Sequence, residues 1–211
     1  MLSTIAALVL AASVFTPQQT QLIVSPATGA PKLEQGVLSA PLDGELVTAV
    51  RTWALSQRQR YGLPTGSTLT STDAFTTRFG ASFHLQQAVG ALEVYQGKLV
   101  VTLDDRRQVV QVSSSLVPFT RVLDGETLTI DQAMQRAGGS LPLVALRPDG
   151  VPYGGAKAFY FPIGGELHKG FIANVHSLDF SKNWYVGLDA VTGERLFVQN
   201  RVHHAALDAK V

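Results

Sequence analysis

The chain contains no cysteine. That absence excludes disulfides, thiolate zinc sites, cysteine nucleophiles and anchoring through a lipidated cysteine. Charge is scarce as well: Asp, Glu, Lys and Arg make up 16% of the 211 residues, and the formal net charge is +1. A nucleic-acid partner calls for a clustered basic face, which this balance does not supply. The signatures of several enzyme classes are also missing. There is no HExxH, so the chain carries no zincin-type metalloprotease site. In "GVPYGGAK", Ala156 stands where a phosphate loop needs its lysine, and neither Ser nor Thr follows Lys157. "SSS" at 113–115 falls in a strand pattern, without a GxSxG elbow to expose a nucleophile.

What is present is apolar substance. Hydrophobic residues are 45% of the chain, enough for one large core or two smaller ones. The apolar run from Ile5 to Phe15 is shorter than the ~20 residues a membrane span requires. It fits the core of a secretory signal, although no Lys or Arg precedes it. Ala11 and Ser13 are small residues spaced for cleavage after Ser13. Residues 1–13 therefore read as a signal peptide, and the expectation is a secreted protein, extracellular or periplasmic, with no membrane span. Residues 14–41, rich in Pro, Gly, Ser, Thr and Gln, read as a linker or flexible arm.

After this arm the pattern repeats in arrangement. Leu46, Val47, Val50, Trp53 and Ala54 recur at helical spacing behind Asp43, a good N-cap, and Gly62 and Pro64 close the segment. From Ser67 the period becomes that of strands, and "GKLVVTLDDRRQVVQVSSSL" predicts two strands about a polar turn at Asp104 to Arg107. Thr129 with Gln132 three residues later has capping-box spacing, and a short helix follows, ended by Gly138 and Gly139. "LVALR", "AKAFYFPI", "ELHKGFIANVHS", "NWYVGLDA" and "ERLFVQNRV" then read as strands separated by turns. Helices followed by antiparallel strands predict an α+β fold.

The histidines do not form a metal site on this reading. His168 and His176 lie in one predicted strand, roughly 26 Å apart at ~3.3 Å per residue. His203 and His204 are adjacent and point opposite ways in extended chain. His84 sits among strand residues as a surface or cross-strand partner. Asp and Glu are scattered, so no catalytic residue, cofactor or metal of the chain's own is expected, and the protein reads as a non-enzyme.

"FHLQQAVGALEVYQGKLVV" resembles the fungalysin/thermolysin propeptide motif, through Phe83, Gln86, Gln87, Gly90, Leu92, Val94, Tyr95 and Gly97. "NWYVGLDAVTGERLFVQNRV" is similar to the closing hairpin of the PepSY domain that commonly follows that motif, through Trp184, Asp189, Ala190, Thr192, Gly193 and Glu194. Glu93 stands where the motif usually has proline, and the hairpin turn is Asp104-Asp105-Arg106-Arg107 where Asp-Gly is typical. The resemblance implies two cystatin-like or PepSY-like units, each a helix packed on an antiparallel sheet, at 42–122 and 123–202, with a tail at 203–211.

It further implies a partner, a secreted zinc metalloprotease, met in cis as a precursor or in trans. The chain would inhibit that enzyme or assist its folding, with Asn200, Arg201, His203 and His204 as the candidate cleft-blocking tail. The alternative is a PepSY-type extracellular binding module with no peptidase partner. On the residues alone, Gln86 and Gln87 read as one inward and one outward strand position, the inward one bonded to backbone. Phe83, Val94, Tyr95 and Trp184 read as core.

Overall fold

The computed structural model describes residues 21–139, 141–179 and 181–201. The fold is α+β: two helices and eleven strands among the described residues, with the strands joined in one sheet system. In the first half, β1 (Gln21–Val24), β2 (Pro31–Gln35), β6 (Val109–Ser114), β5 (Leu92–Asp104), β4 (Gly80–Val89) and β3 (Ser67–Thr77) lie side by side, all antiparallel. In the second, β8 (Gly154–Ile163), β9 (Glu166–His176), β10 (Asn183–Asp189) and β11 (Arg195–Asn200) form an antiparallel meander. The short β7 (Val122–Leu123) pairs with Leu167 and His168 of β9, on the edge that β10 leaves at Gly170.

Each helix covers one half. Helix α1 (Leu46–Ser56) buries Val50 and Ala54 against Phe83 and Leu85 of β4, Val101 of β5 and Val112 of β6. Its N-cap is Glu45, whose carboxylate accepts the N–H groups of Val47 and Thr48 at 2.9 and 2.8 Å. The cap expected at Asp43 is displaced by two residues, with Gly44 at φ +84° turning the chain between them. Helix α2 (Ile130–Gly138) carries the capping box that its sequence spacing predicts: Thr129 Oγ1 accepts from Gln132 N–H, and Gln132 Oε1 accepts from Thr129 N–H. It buries Ala133, Met134 and Ala137 against Phe171, Val175, Val186 and Leu188. Among the described residues no helix is long and apolar enough to cross a membrane.

Two segments differ from the pattern their sequence suggests. "LVALR" is not a strand; it contributes only isolated bridges, Val144 with Ser177 and Leu146 with Pro152. The segment 14–41, read as a linker or flexible arm, contains a hairpin of β1 and β2 that extends the first sheet beyond β6, while residues 14–20 lie outside the described residues. The physical reason is a buried carboxylate paired with a partly exposed cation. Glu34 is 2% exposed, and its carboxylate is held by the guanidinium of Arg60 and by the Tyr61 hydroxyl at 2.9 Å. A buried carboxylate without partners is costly, so these three side chains fasten the hairpin to the loop after α1. Glu34→Ala leaves the buried Tyr61 hydroxyl without its acceptor and Arg60 without its counter-charge. It is expected to lower stability by about 2–3 kcal/mol in denaturant unfolding and to speed amide exchange in 21–35; unchanged exchange there would refute the fastening role.

Candidate functional site

The segments that carry the family resemblance meet at the seam where β5 passes from the first sheet to the second. Strand β5 is bent there. Gln96 takes φ +63°, Gly97 follows it, and the register of β4 against β5 shifts between Gln86 and Ala88. The shift breaks the two-residue alternation of β4, so the expectation of one inward and one outward glutamine fails. Both are buried, Gln86 at 5% and Gln87 at 0% exposure.

Each glutamine serves the bent backbone. Gln86 Nε2 donates to the carbonyls of Val94 and Gly97 at 2.6 and 2.8 Å, on either side of the bend. Gln87 reaches the connection between the halves: its Oε1 accepts Val117 N–H at 2.8 Å, and its Nε2 donates to Val117 O at 2.9 Å and Ser67 Oγ at 3.2 Å. A carboxamide matches both polar groups of one peptide residue, as a neighbouring strand would. Gly97 leaves room for it, since a Cβ there would stand 2.6 Å from Gln87 Oε1.

Past the bend, Val94 pairs in parallel with Tyr160 of β8, which joins the two sheets. Val94, Tyr160 and Leu167 are buried on the inner face of the seam, under Val117, Phe119 and Val122 of the connection. Tyr95 points to the outer face. Its ring lies 5.0 Å from that of Phe161 and stacks on Phe197 of β11 at 5.5 Å, with 17° between the planes. Rings from strands so far apart can meet because glycines form the floor between them. A Cβ at Gly170 would stand 2.6 Å from Phe161 Cδ2, and one at Gly187 would stand 2.2 Å from Phe197 Cε1.

The closing hairpin is built around Asp189, 6% exposed at the end of β10. Its Oδ1 accepts the N–H groups of Val191 and Thr192 at 2.8 and 2.9 Å, and Gly193 completes the turn at φ +72°. Its Oδ2 lies 3.3 Å from His168 Nδ1. Burial opposes ionisation of Asp189, but the Thr192 and Val191 N–H donors and the His168 ring outweigh it. The carboxyl pKa therefore sits below its ordinary value.

The remaining candidates divide. Phe83 is in the first core and Val94 at the seam, both buried as read from the sequence. Tyr95 and Trp184 are half-buried; Trp184 packs against the second core with its Nε1 buried and unpartnered, and Lys182 lies over its ring at 5.5 Å. Glu194 is exposed. Asn200 pairs with Trp184 at the end of β11, and Arg201 donates its N–H to Asn183 O and lays its guanidinium 4.9 Å from the Tyr185 ring. His203 and His204, like residues 1–13, lie outside the described residues. His84 is in β4, its ring 5.3 Å from Phe75. Among the described residues no three His, Asp or Glu side chains converge as metal ligands would.

No local pattern marks the Gln87–Val117 bonds or the outer aromatic cluster. The only available signal was the pair of glycines, 170 and 187, in otherwise regular strands, where a missing Cβ marks close approach of another group.

No family model matches this chain, and no curated protein matches it. Among solved structures, the C-terminal domain of Bacillus megaterium YpeB is similar over 87% of this chain and 83% of that one, with a TM-score of 0.38 and 11% sequence identity.

Two outcomes are expected. Gln87→Leu strands both polar groups of Val117 and should cost about 3 kcal/mol in chemical denaturation; a loss below about 0.5 kcal/mol would contradict the assigned role. Asp189 has a folded pKa below its unfolded one, so its contribution is complete above the ordinary carboxylate range and disappears as pH falls through the folded value. The stability gap between the parent and Asp189→Asn should therefore be open at neutral pH and close in acid; a gap independent of pH would contradict this.

Proposed function

We propose that the chain acts as a propeptide-like partner of a secreted zinc metalloprotease of the fungalysin or thermolysin type. In this reading it is exported, docks on the enzyme to inhibit it or to assist its folding, and contributes shape in place of reactive groups. Its two helix-covered halves are read as PepSY-like units. The observation that carries the reading is the stacking of Tyr95 on Phe197. It brings the segment that resembles the propeptide motif and the hairpin that resembles the PepSY ending into one seam, which β11 leaves at Asn200.

Physically, such a partner needs a preordered docking surface and a segment that occupies a cleft without being turned over. A stable complex buries about 1,600 Å² in total, and a rigid platform keeps the ordering cost of docking low. The doubly packed seam supports the first requirement. The second falls to residues 200–211, of which His203 and His204 have the chemistry to approach a partner's zinc, because imidazole is a good zinc ligand.

The test uses the chain without its signal segment, mixed with thermolysin-type enzymes, in a full-length form and a form ending at Arg201. The reading expects both forms to co-elute with the enzyme and the full-length form to inhibit at least tenfold better. If neither form binds, the proposal fails and the alternative, a PepSY-type extracellular binding module without a peptidase partner, takes its place. Replacing both histidines by alanine without change in inhibition would remove them from the mechanism.

A further inference from the structure

A cleft of about 600 Å³ lies between the β1–β2 turn, the loop after α1 and the end of β6. This is within the usual range for small-ligand sites, ~300–1,000 Å³. Its polar rim carries Lys32, Gln59 and Arg60, and its apolar walls include Ala30, Leu116 and Pro118. No carboxylate lines it. Lys32 and Glu34 are two apart on β2 and so share one face of that strand. The cation next to Glu34, however, is Arg60, which holds the carboxylate through Nε and Nη2.

This arrangement has a directional consequence. Glu34 is buried while the Arg60 side chain is 54% exposed, so the carboxylate fixes one edge of the guanidinium through Nε and Nη2 and leaves Nη1 without a hydrogen bond among the described residues. An anchored carboxylate of this kind fixes the orientation of the guanidinium it holds. Lys32 and Gln59 line the same rim, and among the described residues Lys32 has no ion-pair partner and the Gln59 side chain no hydrogen bond. With Arg60 balanced by Glu34, Lys32 leaves the cleft with excess positive charge.

We propose that this cleft binds the carboxylate of a short peptide. Arg60, oriented by Glu34, and Lys32 receive the carboxylate; Gln59 adds a neutral donor; the apolar walls take the peptide's small side chains. The wall chemistry favours a peptide over a bare inorganic anion. The cleft uses none of the residues on which the metalloprotease reading rests, being lined by β2, the loop after α1 and residues 114–116 and 118.

The experiment is an amide-resolved NMR titration of the folded chain with three probes: N-acetyl-trialanine as the free acid, the same peptide as its C-terminal amide, and inorganic phosphate. The free acid is expected to saturate shifts at Gln59, Arg60, Ser114 and Ser115, with at least tenfold weaker binding of the amide and of phosphate. Lys32→Glu should lose at least tenfold in affinity at unchanged melting temperature, and Lys32→Arg should retain binding. Equal binding of acid and amide, saturation by phosphate alone, full affinity in Lys32→Glu, or no saturable shift with any probe would each overturn the proposal.

Discussion

Two buried carboxamides, Gln86 and Gln87, set the constraint on which the rest of this fold depends. A strand that leaves one sheet to join another must bend, and bending strips backbone groups of their ladder partners. At the Gln96–Gly97 bend those groups are met by Gln86, and the connection between the halves is met at Val117 by Gln87. Glutamine suits the task because one uncharged group both donates and accepts. Neither residue has a reactive role in this arrangement; they are backbone substitutes.

Because the bend is held, the seam can be packed on both sides. Val94 and Tyr160 sit beneath the connecting segment on the inner face, while Tyr95, Phe161 and Phe197 close over a glycine floor on the outer face. Interlocking rings of this kind tie β5 to β11 across three intervening strands. Packing takes the place of covalent cross-links in a chain with no cysteine, and a preordered seam is what a protein needs if it works by presenting shape.

Local signals were the legible ones. The capping box at Thr129 and Gln132 lies within four residues and appears as its spacing implies, as do the polar turn at Asp104 to Arg107 and the glycine turn at Gly193. The β1–β2 hairpin was hidden, because what orders it is Glu34 meeting Arg60 and Tyr61 from far along the chain, and composition read it as a loose arm. The burial of both glutamines was hidden for a related reason: alternation holds only in a regular strand, and the irregularity after Gln86 arises from the pairing with β5. Likewise Phe75, at 56% exposure, follows the strand period but faces away from the core.

The central claim is that the Gln87 carboxamide holds Val117 as firmly as a neighbouring strand would. Native-state hydrogen exchange at the Val117 amide tests it most directly, because that N–H is bonded to the Gln87 side chain. The account predicts protection matching the core amides of β4 and β5, lost only with global unfolding. Exchange at the rate of an open loop, while β4 and β5 stay protected, would contradict it.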